Sequence, residues 1–232
     1  MICRGGMVLV AAMLLAACAD DAPPAPAETG EARNDPAPQA EISGEERRIL
    51  AFGDSLFAGY GLAEDEGYPE KLQAALRARG IDAAVTDAGV SGDTTAAGRQ
   101  RIGFVLDTLE AKPDLALVEL GGNDLLRGLS PTEARANLAA ILEELRKRDI
   151  PAVLFGMRAP PNAGPEYQAE FDAMYPALAE EYGVRLVPFF LEAVYDKPAL
   201  IQQDRVHPTA EGIDALVAAT VDEVIEALPE EG

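Results

Sequence analysis

Short apolar runs alternating with amphipathic segments constrain this chain more than any other feature of its sequence. RRILAFG (Arg47–Gly53), AAVTDAG (Ala83–Gly89), LALVEL (Leu115–Leu120), PAVLFGM (Pro151–Met157) and VRLVPFF (Val184–Phe190) read as strands. Between them, YPEKLQAALRARG (Tyr68–Gly80) sets Leu72, Ala75, Leu76 and Arg79 at helical spacing and stops at a glycine. Thr94–Glu110, Glu166–Gly183 and Pro131–Arg148, with proline near its start and basic residues at its end, read as further helices. A last helix, Thr209–Leu228, carries Ile213, Leu216, Val217, Val221, Val224, Ile225 and Leu228 along one stripe. Strands that are apolar rather than two-sided need cover on both faces, which helices supply when the sheet is parallel. The expected fold is therefore three-layer α/β/α around a five-stranded parallel sheet. In such sheets the chemistry gathers beyond the carboxyl ends of the strands.

The chain divides into three parts, 1–17, 18–46 and 47–232. Its opening, MICRGGMVLVAAMLLAACAD, has one arginine, a short apolar run from Met7 to Ala17 and then small residues, the layout of a secretory signal too short to span a bilayer. Leu15-Ala16-Ala17-Cys18 also resembles a bacterial lipobox, which makes Cys18 the expected lipidation site; the alternative is an ordinary cut after an A-x-A site. The chain has only two cysteines, Cys3 and Cys18, so the folded part lacks a thiol for disulfide, metal or redox chemistry. Residues 18–46 are rich in Ala, Pro and acid and read as a disordered tether. About 185 residues remain, enough for one domain. The net charge of −21 repels nucleic acid and anionic lipid alike, leaving the lipid as the expected membrane attachment. The sequence has no His-x-x-x-His, no Walker A and no correctly spaced G-x-G-x-x-G, so no metal or cofactor is expected.

Four unusual turns fall at the strand ends: GDSLFAGYG (Gly53–Gly61), VSGDTT (Val90–Thr95), GGNDLLRG (Gly121–Gly128) and DRVHP (Asp204–Pro208). Ser55 stands at a strand-to-helix turn, where a hydroxyl needs an imidazole to become a nucleophile; alone, it is as readily a helix cap. Asn123 offers an amide to a developing oxyanion, although asparagine is common in turns anyway. Gly92 offers a backbone N–H and, by itself, is an ordinary turn glycine. His207 is the only histidine in the chain. Pro208 holds it out of helical geometry, and Asp204 is close enough to fold back onto its ring. Each feature has a plain reading singly. Jointly they occupy the one sheet edge where they could converge.

This joint pattern resembles the SGNH, or GDSL-type, hydrolase family, with its flavodoxin-like fold. Within that family it is most similar to the bacterial acyl-CoA thioesterase I/lysophospholipase/arylesterase group, in which VELGGND, YPALA and VPFFLEAVY recur in order. The likeness covers nearly all of residues 48–228. It implies a triad of Ser55, Asp204 and His207, an oxyanion hole of Ser55, Gly92 and Asn123, and hydrolysis of aryl, lysophospholipid or thioesters. One departure is Arg205, where the group commonly has glycine; it falls at the pocket rim and leaves the triad spacing intact.

Leu56, Leu125, Leu126, Met157 and Pro160, with Phe57, Tyr60 and Pro161, lie on the candidate loops and are expected to form an apolar wall for an acyl or aromatic ester. The expected protein is a monomeric esterase, exported and lipid-anchored in the bacterial envelope facing the periplasm. Ala19 carries no acidic retention signal, which favours the outer membrane. Two rivals stay open: a carbohydrate O-acetyl esterase of the same fold, and a non-catalytic binding lipoprotein.

Overall fold

The computed structural model describes residues 42–230. The expected signal peptide, Cys18 and the expected tether as far as residue 41 lie outside the described residues. The elements are β1 (Ser43–Gly53), α1 (Tyr68–Ala78), β2 (Ile81–Gly89), α2 (Thr95–Thr108), β3 (Leu115–Glu119), α3 (Gly122–Leu126), α4 (Pro131–Lys147), β4 (Ala152–Phe155), α5 (Pro165–Tyr182), β5 (Arg185–Val187) and α6 (Ala210–Ala227). The five strands form one parallel sheet in the order β2-β1-β3-β4-β5. β3 and β4 are buried along their whole length, as expected for strands covered on both faces.

The strand order explains where a site can form. From β1 the chain moves to β2 on one side, then crosses to β3 on the other. The connections leaving β1 and β3 therefore diverge and open a crevice beyond their carboxyl ends. Ser55 follows β1 and Asn123 opens α3 just after β3, so the two flank this crevice.

Three boundaries differ from the sequence reading. β1 starts at Ser43, inside the segment read as tether, and its register is irregular there: Ser43 aligns with Ile81 but Arg47 with Ala83. β5 ends at Val187 rather than Phe190, because Pro188 has no N–H to continue the ladder; Phe190 N instead bonds Gly156 O at 2.8 Å and opens a 3₁₀ turn. The Gly-Gly-Asn-Asp turn is one turn of helix, α3.

Beneath the crevice lies a buried aromatic cluster. Phe57 stacks on Tyr68 at 5.0 Å, and both meet Phe155 and Phe190 edge-on. Full burial of such a ring contributes roughly 1.5–3 kcal/mol. Phe57 is two residues from Ser55, so this packing also anchors the serine turn.

Candidate active site

The turn after β1 is held from both ends. Ala58 N donates to Asp54 O at 3.0 Å, Tyr60 N to Ser55 O at 3.2 Å, and Leu56 N to Asp54 Oδ1 at 3.0 Å. With Phe57 pulled inward, Ser55 is left facing the crevice.

His207 reaches it from a loop that is itself braced. Ile201 and Pro208 form an isolated bridge, and Gln202 N donates to His207 O at 2.7 Å. The Gln202 amide then donates to Tyr60 O and Pro208 O, both at 2.8 Å, tying the histidine loop to the serine loop. The Tyr60 ring lies 4.5 Å from the imidazole, centroid to centroid. Asp204 Oδ1 accepts the N–H groups of Val206 (2.9 Å) and His207 (3.1 Å), while its Oδ2 stands 2.7 Å from His207 Nδ1. His207 Nε2 is 2.8 Å from Ser55 Oγ. Carboxylate, imidazole and alcohol thus stand in one hydrogen-bonded series. Partial desolvation, the largest single influence, pushes Asp204 up. The bonds from the His207 ring and the two N–H groups outweigh it and hold the carboxyl at about 2.

Gly92 and Asn123 line the same cleft of about 390 Å³ as Ser55 and His207. Gly92 has φ +88°, a region that costs other residues energy. Arg127 Nη2 donates to its carbonyl at 2.8 Å. Asp124 fastens this turn to α3: its two oxygens accept Thr95 N (2.8 Å) and Thr95 Oγ1 (2.6 Å). Gly121, φ +121°, precedes α3 where a Cβ would collide with the Tyr175 hydroxyl. Asn123 Nδ2 donates to Asp54 Oδ2 at 3.0 Å, and its second hydrogen is available to another acceptor. Among the described residues, neither the Ser55 nor the Gly92 N–H has a protein acceptor.

Under the serine lie two carboxyls. Asp54 and Glu119 are both buried, and Asp54 N contacts Glu119 Oε2 at 3.4 Å. Burial pushes both up, and the Asp54 charge raises Glu119 further, well above its ordinary range. Asp54 accepts from Leu56 N and Asn123 Nδ2, which oppose that rise by favouring its charged form.

Of the residues expected to line the pocket, Leu56, Leu125, Leu126, Met157 and Tyr60 do so. Pro160 and Pro161 do not. Ala159 is fixed to α5 through its N–H to Asp172 Oδ1 (2.8 Å) and its carbonyl to Gln168 Nε2 (2.9 Å), which turns Pro160 outward into solvent. Phe57 is likewise not a wall residue but part of the aromatic cluster beneath. The sequence reading missed Ser91, Gly122, Arg158, Phe189, Leu191 and Val206, which also line the cleft. It also missed Asp54, Asp124 and Glu119. The last had a visible signal, as the one polar residue in an otherwise apolar strand.

The sequence model of the GDSL-like Lipase/Acylhydrolase family matches residues 51–215. The chain is 41% identical over 160 residues to the esterase TesA of Pseudomonas aeruginosa, covering 69% of this chain and 79% of that protein. It is 38% identical over 181 residues to an arylesterase of Vibrio mimicus, covering 78% and 90%. Among solved structures, AlinE4, described as an SGNH-hydrolase family esterase, superposes with TM-score 0.69 at 67% identity, covering 81% of this chain and 99% of that one. With the family pattern spanning both the serine turn and the histidine loop, this chain belongs to the GDSL-like lipase/acylhydrolase family, the SGNH hydrolases.

Proposed function

We propose that this carboxylic ester hydrolase works through an acyl-enzyme on Ser55. The observation that carries the reading is the Asp204–His207–Ser55 series, at 2.7 and 2.8 Å. Ser55 Oγ attacks the ester carbonyl as His207 Nε2 takes its proton. Asp204 fixes the ring through Nδ1 and stabilises the imidazolium. The Ser55 and Gly92 N–H groups and the Asn123 amide hold the oxyanion. His207 then returns the proton to the departing alcohol, and the same base activates water to release the acid.

The cleft's apolar side, with Leu56, Leu125, Leu126 and Met157, suits an acyl chain or aromatic ring. The relatives are named as ester hydrolases, and neither rival reading gains support from them. Ser55→Ala is expected to abolish hydrolysis of a short aryl ester and labelling by a fluorophosphonate probe; full turnover by that variant ends the reading.

The proposal extends to the amino-terminal segment: lipidation at Cys18 tethers the domain to the periplasmic face of the outer membrane, where lipid esters are nearer than cytoplasmic acyl-CoA. Among the described residues no helix is long and apolar enough to cross a membrane. Cys18→Ala should lose incorporated palmitate and leave the membrane fraction. Retention of both excludes the anchor.

A further inference from the structure

Of the three donors proposed for the oxyanion, two stand on turns that the sheet itself does not hold. β1 and β2 stay in register as far as Gly53 and Gly89. The Ser55 N–H lies two residues beyond the first and the Gly92 N–H three beyond the second. Past those ends both turns leave the ladder, so another contact must fix the distance between them.

Arg101, on α2, reaches both turns. Its Nη2 donates to Gly53 O at 2.9 Å and its Nε to Asp93 Oδ2 at 2.6 Å. Gly53 leads into Asp54 and Ser55, and Asp93 directly follows Gly92. Val90 N donates to the same Gly53 O at 3.0 Å, and Asp93 N to Val90 O at 3.0 Å. The guanidinium therefore closes a ring of bonds across the two turns. Its carbon also lies 4.0 Å from the centre of the Phe52 ring, a cation–π contact that fixes the fork further. Asp87, the other carboxylate acting on Arg101, is already occupied by Gly89 N at 2.7 Å.

Burial sets this pair apart from arginine pairs on the surface. The Arg101 and Asp93 side chains are 18% and 13% exposed, whereas both partners are at least 29% exposed in Arg148–Glu144, Arg135–Glu181 and Arg185–Glu223. Exposed pairs are loosely held and contribute little. A shielded pair keeps its geometry, because separating it leaves each charge without compensation. The planar fork also fixes the direction of each donor, which an ammonium does not. Arg127 holds Gly92 O from α3, through a bond open to solvent.

Resting on the acyl-enzyme reading above, we infer that Arg101 is a positioning residue of the oxyanion hole, setting the Ser55 and Gly92 N–H groups at the separation the tetrahedral intermediate needs. It is not among the residues lining the cleft, so it acts through the two turns and not on the substrate. Oxyanion donors must stand about 2.7–3.1 Å from the developing charge. A displacement of about 1 Å costs about a hundredfold in rate. Ground-state binding, which falls to the apolar wall, does not depend on the clamp.

The test replaces Arg101 by lysine in the purified protein, which keeps a positive charge beside Asp93 but has no fork to join both acceptors. With p-nitrophenyl butyrate, kcat should fall by about ten- to a hundredfold while KM stays within about twofold. n-Butylboronic acid supplies the second readout. Ser55 Oγ adds to its boron as the hydroxyl proton passes to His207, which places a boron-bound oxygen in the hole. Its Ki should weaken by about the factor that kcat/KM loses. Arg77→Lys is the matched control, because Arg77 Nε holds the Ala83 carbonyl at 2.9 Å near the opposite end of β2. That variant should keep wild-type kcat and Ki whatever happens to its Tm. Asp93→Asn, which keeps the shape but removes the charge orienting the guanidinium, is the second variant if Arg101→Lys does not fold. It should lose kcat several-fold, with a matching loss of boronate affinity. Wild-type kcat in the folded variant, a loss carried by KM, or an unchanged boronate Ki overturns the inference. Ser55→Ala run alongside separates the two failures: turnover that survives it sinks the acyl-enzyme reading, whereas Ser55-dependent turnover indifferent to Arg101 sinks only the positioning role.

Discussion

Asp204 and Glu119 are both carboxyl groups serving the same serine, and their surroundings drive them in opposite directions. Asp204 stands on an exposed loop, where three donors, two backbone N–H groups and the His207 ring, hold it at about 2 despite partial desolvation. Glu119 is 0% exposed at the end of β3, and its Oε1 has no partner among the described residues. Burial and the Asp54 charge raise it well above its ordinary range. The difference teaches that donors to the charged form, rather than exposure alone, decide whether a carboxyl near the site is an anion. The loop carboxylate is built to face a cation that forms during reaction. The buried carboxyl is pushed toward its neutral form beside Asp54, which in turn holds Asn123.

The sharpest way to break this contrast is at Asp204. Asp204→Asn keeps the shape but loses the charge and favours the wrong imidazole tautomer, so kcat should fall by about 10⁴. A loss below tenfold would mean the loop carboxylate is not an orienting anion. Asn123→Ala should cost about a hundred- to a thousandfold in kcat while KM moves little, as for loss of one oxyanion donor.

Glu119 offers a finer comparison. Glu119→Leu leaves Asp54 without its neutral neighbour and should lower stability by about 1–3 kcal/mol, measured by urea denaturation. Glu119→Gln retains a donor toward Asp54 and should stay near wild type in kcat at neutral pH. Equal damage from both would show that a neutral donor at this position does not serve Asp54, and would overturn the neutral reading of Glu119.

The smallest effects are in the pH dependence of stability, and they have opposite signs. Glu119 is raised in the folded state, so its contribution is full below its unfolded value, near 4.5, and declines as pH rises toward the folded one. Glu119→Gln should flatten that decline in Tm as pH rises above about 4.5. Asp204 is lowered, so its contribution is full above about 3.8 and is lost as pH falls through about 2. Asp204→Asn should remove a slope confined to that acid range. Its size is modest, because water screens an exposed pair.

Much of the site was legible in the chain. Ser55, Gly92, Asn123, Asp204 and His207 each sit in a turn with its own local logic; those of Ser55, Gly92 and Asn123 directly follow strands, and that of Asp204 and His207 comes after β5 by way of two 3₁₀ turns. The pocket wall was only partly legible. Leu56 and Met157 line it as expected, whereas Phe57, next to Leu56, points the other way into the aromatic cluster, and Pro160 is turned out by the anchoring of Ala159. Adjacent residues on a turn diverge, and which of them faces the cleft depends on partners more than a hundred positions away, such as Phe190.

What the sequence determined by itself was periodicity and punctuation: apolar runs, amphipathic stretches, turn residues, and hence a parallel sheet with its chemistry at one edge. Those are local properties, set by side chains a few positions apart. Tertiary structure alone decided the pairing of Asp54 with Glu119, 65 positions away, and the tie from Gln202 to Tyr60, 142 positions away. It also left Arg158 and Arg205 lining a cleft whose one carboxylate, Asp54, is buried and taken by Asn123 and Leu56. A carboxyl's protonation and an arginine's freedom depend on what packs against them, and strand order brings those neighbours from distant parts of the chain.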